Sequence, residues 1–314
     1  MKLTDPRNAD ILVGINNELK NRSDARISVF DSAVQGGDAV WEGLRVYKGR
    51  IAALDEHLER LQNSAKSLAF VDVPSTDDVR QAIFKTLAAN DMRDEVHIRL
   101  TLTRGEKITS GMNPKFNQSG CTLIVLAEWK PSVYSDDGIR VVSASTRRNT
   151  VQCLDSKIHH ANLLNNILAS IEANVAGVDS AIMLDVDGFV SETNDTNLFL
   201  VKNGCVKTPH ADSCLPGITR RMILDICAAE NVPAEVLNLS LSEFYTADEV
   251  FTSGTMGELT PVLEADGRKI GDGKVGPMTK RLQTLHRAAA YEAGTPLPID
   301  AGSSWVATDQ ESAK

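Results

Sequence analysis

The chain has 314 residues, which is long enough for two domains, and a formal net charge of -9. With 42% hydrophobic and 24% charged residues, it has the composition of a soluble globular protein that can build a core. The acidic balance argues against a partner that is a nucleic acid, since binding to phosphate backbones depends on clustered Lys and Arg.

The first part of the chain is predicted to be a strand-rich α+β domain. Alternation of apolar and polar residues predicts strands in "ARISVFDSAV" and in "GLRVYKGRIAAL", where Lys48-Gly49 makes a hairpin turn. Helical spacing predicts helices in "DEHLERLQNSAKSLAF" and "STDDVRQAIFKTLAAND". Strands follow in "EVHIRLTLTRG" and "CTLIVLAEW". The turn-rich "KPSVYSDDG" marks a domain boundary, so we place the N-terminal domain at residues 1–132.

The second domain, residues 133–293, is predicted to begin with the strand "GIRVVSASTRRN" and a helix over residues 159–176. Two hairpins follow, around Val186-Asp187-Gly188 and Asn203-Gly204, and a last one turns at Asp266-Gly267. A further helix is predicted in "LPGITRRMILDICAAENV". The polar residues 294–314 are predicted to form a flexible tail.

Neither a membrane span nor a secretion signal is predicted. No run of about 18 apolar residues occurs, and "MKLTDPRNADILVGINNELK" at the N-terminus lacks an apolar signal core. The five cysteines are scattered without the spacing of zinc ligands, so we expect reduced thiols, mostly in the core, and no metal site. These features favour a cytoplasmic protein without a membrane partner.

Lys157, in "LDSKIHHANLLNNIL", is the first candidate for chemistry. A lysine is more often a solvated surface residue than a catalytic one, so a catalytic role for Lys157 depends on which other motifs accompany it. Two stretches downstream have the features of phosphate sites: Gly217-Ile218-Thr219 precedes a predicted helix, and Ser253-Gly254-Thr255 follows a predicted strand. Each is weak alone, since glycine turns before helices are common. Neither stretch is a P-loop. The sequence therefore favours a smaller phosphorylated cofactor over a nucleoside triphosphate.

Glu192, in "GFVSETNDTNLF", is the carboxylate that stands out. Its commoner interpretation is a solvated strand end, but a carboxylate here can also be the counter-ion of a protonated ring nitrogen. A lysine for an imine, a carboxylate for a pyridinium nitrogen and two phosphate-binding turns are together what pyridoxal 5'-phosphate requires. The sequence therefore predicts this cofactor.

Six collinear motifs make the chain resemble a known family over about residues 26–290: "GDAVWEGLRVYKGRIAALDEHLERL", "SKIHHANLLNNILASIEA", "AIMLDVDGFVSETNDTNLFLVKNG", "LPGITRRMI", "ADEVFTSGTMGELTPV" and "KVGPMTKRL". They are similar to those of the class IV, or fold-type IV, pyridoxal-phosphate-dependent aminotransferases. That family includes branched-chain amino acid aminotransferases, D-amino acid aminotransferases and aminodeoxychorismate lyases.

The resemblance implies a two-domain α+β fold of the D-amino acid aminotransferase-like type. In such a fold the C-terminal, cofactor-binding domain surrounds a closed or nearly closed β core, and the cofactor lies between the domains. The resemblance also implies a homodimer or higher homo-oligomer, in which a loop of the neighbouring subunit reaches the substrate.

The resemblance also implies roles for individual residues. Lys157 matches the catalytic lysine that forms the internal Schiff base, and Glu192 matches the partner of the pyridine nitrogen. Arg60 matches the arginine that binds the phosphate. The backbone and hydroxyl donors to the same phosphate correspond to Ile218, Thr219 and Thr255, and the remaining cofactor-binding position, a tyrosine in the family, is Asn162.

The predicted substrate pocket departs from the branched-chain pattern. Tyrosines of that pattern are replaced by Gly36, His97 and Asn162, and the usual "TAA" turn is Thr255-Met256-Gly257. Fewer phenols leave a more open and more polar pocket. The remaining predicted substrate residues are an apolar wall, Trp41, and two carboxylate-binding arginines, Arg99 and Arg104.

Other charged residues near these motifs have two interpretations. Arg147 and Arg148 could bind a carboxylate or, with equal weight, pair with an acidic surface. His159 and His160 are expected to pack at a helix start rather than to bind a ligand.

We therefore predict a pyridoxal-phosphate-dependent transaminase that moves an amino group between an amino acid and a 2-oxo acid such as 2-oxoglutarate. Branched-chain L-amino acids are favoured by overall motif similarity. A D-amino acid transaminase is the first alternative and an aminodeoxychorismate lyase the second. A scaffold without turnover is a further alternative, but it has no chemical need for Lys157, Glu192 and Arg60 together.

Overall fold

The computed structural model describes residues 5–300 and Trp305. Within this part of the chain the strands, in order, are β1 (Leu12–Ile15), β2 (Glu18–Asn21), β3 (Ala39–Tyr47), β4 (Arg50–Ile51), β5 (Val96–Thr103), β6 (Thr122–Trp129), β7 (Ile139–Ser143), β8 (Ser180–Leu184), β9 (Val190–Thr193), β10 (Asn197–Lys202), β11 (Cys205–Thr208), β12 (Ala234–Val236), β13 (Glu249–Gly254), β14 (Glu258–Ala265), β15 (Arg268–Lys269) and β16 (Thr295–Pro296).

The α-helices of the same described residues are α1 (Ser32–Gly36), α2 (Leu54–Ser67), α3 (Thr76–Ala89), α4 (Leu164–Ala176), α5 (Ile218–Ala229), α6 (Leu241–Tyr245) and α7 (Pro277–Glu292). Two short 3-10 helices are Pro6–Asp10 and Pro114–Phe116. None of the helices in the described residues is long and apolar enough to cross a membrane.

Two compact units make up the described chain. The first contains the described residues up to Pro131, the segment His159–Asn162 and the described residues from Ala290 onward. The second contains Ser132–Ile158 and Leu163–Ala289. Each unit is therefore assembled from separate stretches of sequence, whereas the predicted limits were single stretches.

The first unit is built on a seven-stranded sheet with the order β16-β4-β3-β5-β6-β1-β2. Helix α2 packs on β3, and α3 packs on β1 and β6. The buried apolar side chains of the two helices include Leu58 and Leu61 of α2 and Ile83 and Leu87 of α3. Helix α3 begins with the predicted Ser75, which exchanges hydrogen bonds with Asp78 in a capping box.

Strand β4 is short, so it leaves part of the edge of β3 unpaired. Residues of the segment His159–Asn162 occupy this edge: the Trp41 amide donates to the His159 carbonyl at 2.9 Å, and the Ala161 amide donates to the Ala39 carbonyl at 2.8 Å. The helix predicted over residues 159–176 therefore begins only at Leu164. His159 and His160 do not pack at a helix start, and that prediction is wrong.

Residues 25–34 were predicted to be a strand, which is also wrong. Asp31 caps α1 instead, because its carboxylate accepts from the Ala33 amide at 2.8 Å. The same carboxylate accepts from the hydroxyls of Thr103 and Thr122. Asp31 is fully buried by these contacts.

The predicted tail, residues 294–314, is partly structured. Strand β16 pairs with β4, with Thr295 opposite Ile51. Residues 301–304 and 306–314 lie outside the described residues.

The second unit is built on a nine-stranded sheet with the order β12-β11-β10-β13-β14-β7-β8-β9, and β15 pairs with β14. A tight turn joins β9 to β10, in which the Thr193 amide donates to the Thr196 carbonyl. Stacked rings of Phe199 and Phe251 lie in an apolar cluster with residues of α5 and α7. The predicted hairpins of this unit are all present.

The described cysteines are all free. Cys214 and Cys227 are buried, Cys121 and Cys205 are half-buried, and Cys153 is exposed. The prediction that most of them lie in the core is therefore correct for only two.

Candidate active site

Lys157 lies in a turn before α4, in the second unit. Its Nζ is 3.4 Å from the Asp212 carbonyl oxygen and 3.9 Å from Asp155 Oδ1, and its side chain is 44% exposed. Its backbone amide donates to Asp155 Oδ1, which fixes the turn. The amine is accessible and only weakly held, as a nucleophilic lysine requires.

Glu192, at the end of β9, is a buried carboxylate in the same unit. Arg148 Nη2 lies 2.7 Å from Glu192 Oε1, and Asn197 Nδ2 donates to Oε2 at 3.3 Å. Burial raises the pKa of Glu192 to about 7, and the charge of Arg148 opposes that rise. The carboxylate is therefore poised to change protonation near neutral pH. The prediction of a solvated strand end is excluded by its burial.

Arg148 is held by the turn that carries Lys157 and by the start of α4. Its guanidinium donates to Ser156 Oγ at 2.9 Å and to the side-chain oxygens of Asn165 and Asn166. These contacts hold Arg148 in its buried ion pair with Glu192. Arg147, in contrast, is exposed and donates to the carbonyl oxygens of Ala144 and Ser145, and no carboxylate of the described residues pairs with it.

The start of α5 is the first of the two predicted anion sites. Gly217 precedes the helix, and no side chain caps the amides that follow, so the backbone N–H groups of Ile218 and Thr219 remain to bind an anion. A Cβ at Gly217 would lie 2.1 Å from Asn197 Oδ1. Only glycine fits this close approach.

The turn between β13 and β14 is the second predicted anion site. The hydroxyl of Ser253 is buried and has no hydrogen-bond partner among the described residues. Thr255 follows two residues later, the Met256 carbonyl accepts from the Val133 amide at 3.2 Å, and Gly257 lies against Tyr134.

Arg60, in the first unit, forms a bidentate pair with Glu42. Its Nε and Nη2 donate to the two carboxylate oxygens at 2.8 and 2.7 Å. His57 Nδ1 lies 2.7 Å from Oε2, and His159 Nδ1 lies 3.0 Å from Oε1. Arg60 Nη1 is buried and lacks a partner within the described part of the chain. One fixed donor of Arg60 is thus left for a ligand, as the phosphate role requires.

Trp41 and Arg99 lie on one face of the first sheet. The guanidinium carbon of Arg99 is 3.4 Å from the centre of the Trp41 ring, and the His159 ring centre is 4.2 Å from it. No acceptor among the described residues bonds the Arg99 guanidinium. Burial lowers its pKa to about 10, so it remains charged at neutral pH. Trp41 is therefore more than the predicted apolar wall, because it supports an arginine with free donors.

Arg104 is already occupied. It forms a bidentate pair with Asp38 at 2.6 and 3.1 Å, donates to the carbonyls of Leu68 and Ala69, and stacks on Phe70. Four of its five N–H groups are thus engaged, and one N–H on Nη1 is left for the predicted substrate-binding role. Its contacts are those of a residue that joins distant loops.

The remaining predicted pocket residues are scattered over the first unit. His97 is buried in β5 opposite Arg45, and Gly36 ends α1 with open space around it. Asn162 is exposed beside Gly37, and the His160 carbonyl accepts from Trp41 Nε1 at 3.2 Å.

Glu42 and His57 were not singled out from the sequence. The available signal was a carboxylate within the apolar run of β3, in "AVWEGLRVY", since a charge in a buried strand requires partners.

Comparison with known proteins agrees with this geometry. Residues 39–265 match the family described as amino-transferase class IV. The chain is 60% identical over 294 residues to branched-chain-amino-acid aminotransferase-like protein 2 of Arabidopsis thaliana, with 93% of the chain aligned. It spans about half of that relative, 53%. It is 33% identical to the branched-chain-amino-acid aminotransferase of Escherichia coli strain K12, covering 86% of the chain and 90% of the relative.

A solved structure has the same fold. The branched-chain amino acid aminotransferase of T.th., complexed with N-(5'-phosphopyridoxyl)-L-glutamate, superposes with a TM-score of 0.84. The two chains are 32% identical, over 90% of this chain and 94% of that one. The fold is therefore the predicted α+β, fold-type IV architecture. The chain belongs to the class IV aminotransferase family.

Proposed function

We propose that this protein is a pyridoxal-phosphate-dependent transaminase that exchanges an amino group between branched-chain L-amino acids and a 2-oxo acid such as 2-oxoglutarate. The observation that carries the proposal is the accessible amine of Lys157 in the same unit as the buried, arginine-paired Glu192. An accessible primary amine for the imine and a carboxylate to pair with the pyridine nitrogen are the two groups that this chemistry needs.

The chain's own donors fit the cofactor. Arg60 has one buried donor without a partner, and the start of α5 offers the amides of Ile218 and Thr219 to an anion. The unbonded hydroxyl of Ser253 and the side chain of Thr255 suit further phosphate oxygens. Glu192 would face the pyridine nitrogen. When bound, pyridoxal phosphate supplies an electron sink that acidifies the Cα proton of an amino acid.

Four residues would have separate roles in amino transfer. The Lys157 amine would take the Cα proton at Nζ and return it, since its weak contacts leave it free to move. Arg148 would keep Glu192 oriented through a short ion pair. Arg99 would bind a substrate carboxylate with the donors that no residue of the described chain occupies. Trp41 would form the apolar side of the pocket.

Substrate choice rests on the relatives and on this pocket. Both named relatives and the superposed enzyme carry branched-chain aminotransferase names, which supports an aliphatic amino donor. The phosphopyridoxyl-L-glutamate bound to the T.th. enzyme supports a glutamate and 2-oxoglutarate pair as the other half of the exchange. A D-amino acid transaminase and an aminodeoxychorismate lyase are the alternatives that the test must separate.

The test uses the purified protein with pyridoxal phosphate and 2-oxoglutarate. Formation of 4-methyl-2-oxopentanoate and L-glutamate from L-leucine is the expected result, with no reaction of D-alanine at a matched concentration. Reaction of D-alanine alone would replace the branched-chain assignment with the D-amino acid one. Formation of pyruvate and 4-aminobenzoate from aminodeoxychorismate, without amino transfer, would establish the lyase.

We propose further that the chain forms a homo-oligomer through α4. One face of this helix carries apolar side chains that are exposed in the single chain: Leu164, Ile167, Leu168, Ile171 and Val175. Their spacing places them in one stripe, and such stripes on folded proteins commonly mark an interface. Leu168→Glu is expected to lower the mass measured by sedimentation. Val186→Glu, at an exposed valine outside α4, is the control that should leave the mass unchanged.

A further inference from the structure

Two arginines of the first unit are supported through one histidine. On one side, the His159 Nδ1 lies 3.0 Å from Oε1 of Glu42, whose carboxylate holds Arg60. On the other side, the His159 ring packs against Trp41, with the two ring planes tilted by 39°, and the Trp41 indole supports the guanidinium of Arg99. The contacts form a continuous chain from Arg60 to Arg99.

We propose that His159 is a positioning residue shared by the two arginines, fixing Arg60 through Glu42 and Arg99 through Trp41. The inference rests on the proposed function, in which Arg60 binds the cofactor phosphate and Arg99 binds a substrate carboxylate. It assigns His159 no contact with either ligand.

The position of Arg60 depends on His159 because both residues bond the carboxylate of Glu42. The carboxylate is fully buried, and each of its oxygens has two partners: Oε1 is bonded by Arg60 and His159, and Oε2 by Arg60 and His57. Loss of the His159 donor leaves Oε1 with one partner in a buried site. A buried acceptor that loses a partner shifts toward the donors that remain, so the Arg60 guanidinium would no longer be held in one place.

The position of Arg99 depends on His159 as well, because the Trp41 ring contacts both residues. A guanidinium over an indole face is attracted by the ring, and its N–H groups stay in the plane where a carboxylate can reach them. Because no described residue accepts from Arg99, the Trp41 ring is the main restraint on its position. The His159 ring and the Trp41 hydrogen bonds to the His159 and His160 carbonyls in turn restrain that indole.

His159 is itself fixed from outside the two arginine sites. Its amide donates to Ser64 Oγ at 3.1 Å, and its carbonyl accepts from the Trp41 amide. Burial lowers the pKa of His159 to about 4, so its ring is neutral at pH 7 and Nδ1 carries the proton that faces Glu42. A neutral ring keeps the contact with Trp41 without placing a second positive charge beside Arg60.

Two substitutions separate the two halves of this linkage. In His159→Asn, the amide nitrogen can replace Nδ1 as a donor to Glu42, but the ring that packs against Trp41 is lost. In His159→Phe, a ring remains against Trp41, but the donor to Glu42 is lost. The measurements are the dissociation constant of pyridoxal phosphate, from titration of the cofactor-free protein by fluorescence, and the KM for 2-oxoglutarate.

His159→Asn is expected to raise the KM for 2-oxoglutarate about tenfold and to leave cofactor binding near the wild-type value, as is Trp41→Leu. His159→Phe is expected to weaken cofactor binding about tenfold with an unchanged KM once saturated with cofactor. Phe70→Leu is the matched control, because it removes the ring beneath Arg104, an arginine that Asp38 and two carbonyls still hold. It should change neither quantity.

Equal effects of the Asn and Phe variants on both quantities, or no effect of either, would overturn the proposal. Urea unfolding of each variant identifies global destabilisation, and the opposite pattern expected from the two variants cannot arise from a common loss of folding. A wild-type protein that neither binds pyridoxal phosphate nor transfers an amino group would instead contradict the proposed function.

Discussion

The guanidinium of Arg148 lies 2.7 Å from the carboxylate of Glu192, and both side chains are almost fully buried. Removing one partner of such a pair leaves a charge in a site that cannot solvate it, which commonly costs about 3 kcal/mol or more. Arg148→Met is therefore expected to lower the free energy of unfolding by about 3 kcal/mol at pH 8, measured by urea titration.

The neighbouring Arg147 provides the control for this substitution. It is exposed and donates only to two carbonyl oxygens, so Arg147→Met should change the free energy of unfolding by less than about 0.5 kcal/mol. Equal losses in the two variants would contradict the importance of the buried pair.

The protonation of Glu192 predicts a pH dependence of stability. Its pKa is raised from 4.5 to about 7 in the folded protein, so between these values the folded state binds more protons than the unfolded state. The contribution of Glu192 to stability is thus present at low pH and falls as the pH rises through this window, by up to about 3 kcal/mol. Relative to wild type without cofactor, Glu192→Gln should become more stable between pH 5 and pH 8. A constant difference over this range would exclude the raised pKa.

The protonation of His159 predicts the opposite pH dependence: the stability of the folded protein should fall as the pH is lowered. Burial lowers its pKa from 6.5 to about 4, so between these values the unfolded state binds the extra proton. Stability from this group is therefore lost as the pH falls from about 6.5 toward 4. His159→Asn lacks the titrating group, and its free energy of unfolding should fall less steeply than that of wild type between pH 7 and pH 5. Parallel pH profiles would show that the ring is not held neutral.

Gly217 is expected to tolerate no side chain. The Cβ of alanine would lie 2.1 Å from Asn197 Oδ1, and the displaced Asn197 would lose its bonds to Glu192 and to the Leu215 carbonyl. Gly217→Ala should therefore lower stability by about 2 kcal/mol and weaken the binding of inorganic phosphate or pyridoxal phosphate. Gly36→Ala is the control, because nothing lies within 4 Å of its Cβ position. Similar melting temperatures for the two variants would contradict the clash.

Lys157 is expected to be essential for turnover and dispensable for folding. Its side chain is 44% exposed and makes only one weak hydrogen bond, so Lys157→Ala should keep the wild-type melting temperature without cofactor. The variant should lack amino transfer and the visible absorbance of the enzyme-bound cofactor. Lys157→Arg keeps the positive charge but not the primary amine, and it should be equally inactive. Activity in either variant would exclude Lys157 as the reacting lysine.

Local chemistry made much of the fold predictable. The hairpins turn at Lys48-Gly49, Asn203-Gly204 and Asp266-Gly267, and both residues of each pair have positive φ angles. Such turns are encoded by the residues themselves. Residues 159–163 could not be predicted in the same way, because their conformation depends on hydrogen bonds to the edge of β3, more than a hundred residues earlier.

The candidate site likewise has features that the sequence predicts and features that depend on residues distant in sequence. The roles of Lys157 and Glu192 came from the residues and from motif resemblance, that of Arg60 came from resemblance alone, and all three remain proposals that the geometry supports. Arg104 looked equally suited to bind a carboxylate, yet Asp38, Leu68 and Ala69 already accept its hydrogen bonds. How many donors each arginine keeps free is decided by partners distant in sequence, and a single sequence does not specify them.

Strand β16 adds the outermost strand to the first sheet, and the segment His159–Asn162 lies on the edge of β3. During synthesis from the N-terminus, the ribosome must therefore make the entire second unit before it makes the last strand of the first. A fragment that ends at Pro131 would expose the edges of both β3 and β4, which invites pairing with another chain. Translation that stops at Pro131 would leave an aggregation-prone half, so the first unit is expected to gain its protection against misassembly only after the second unit has been made.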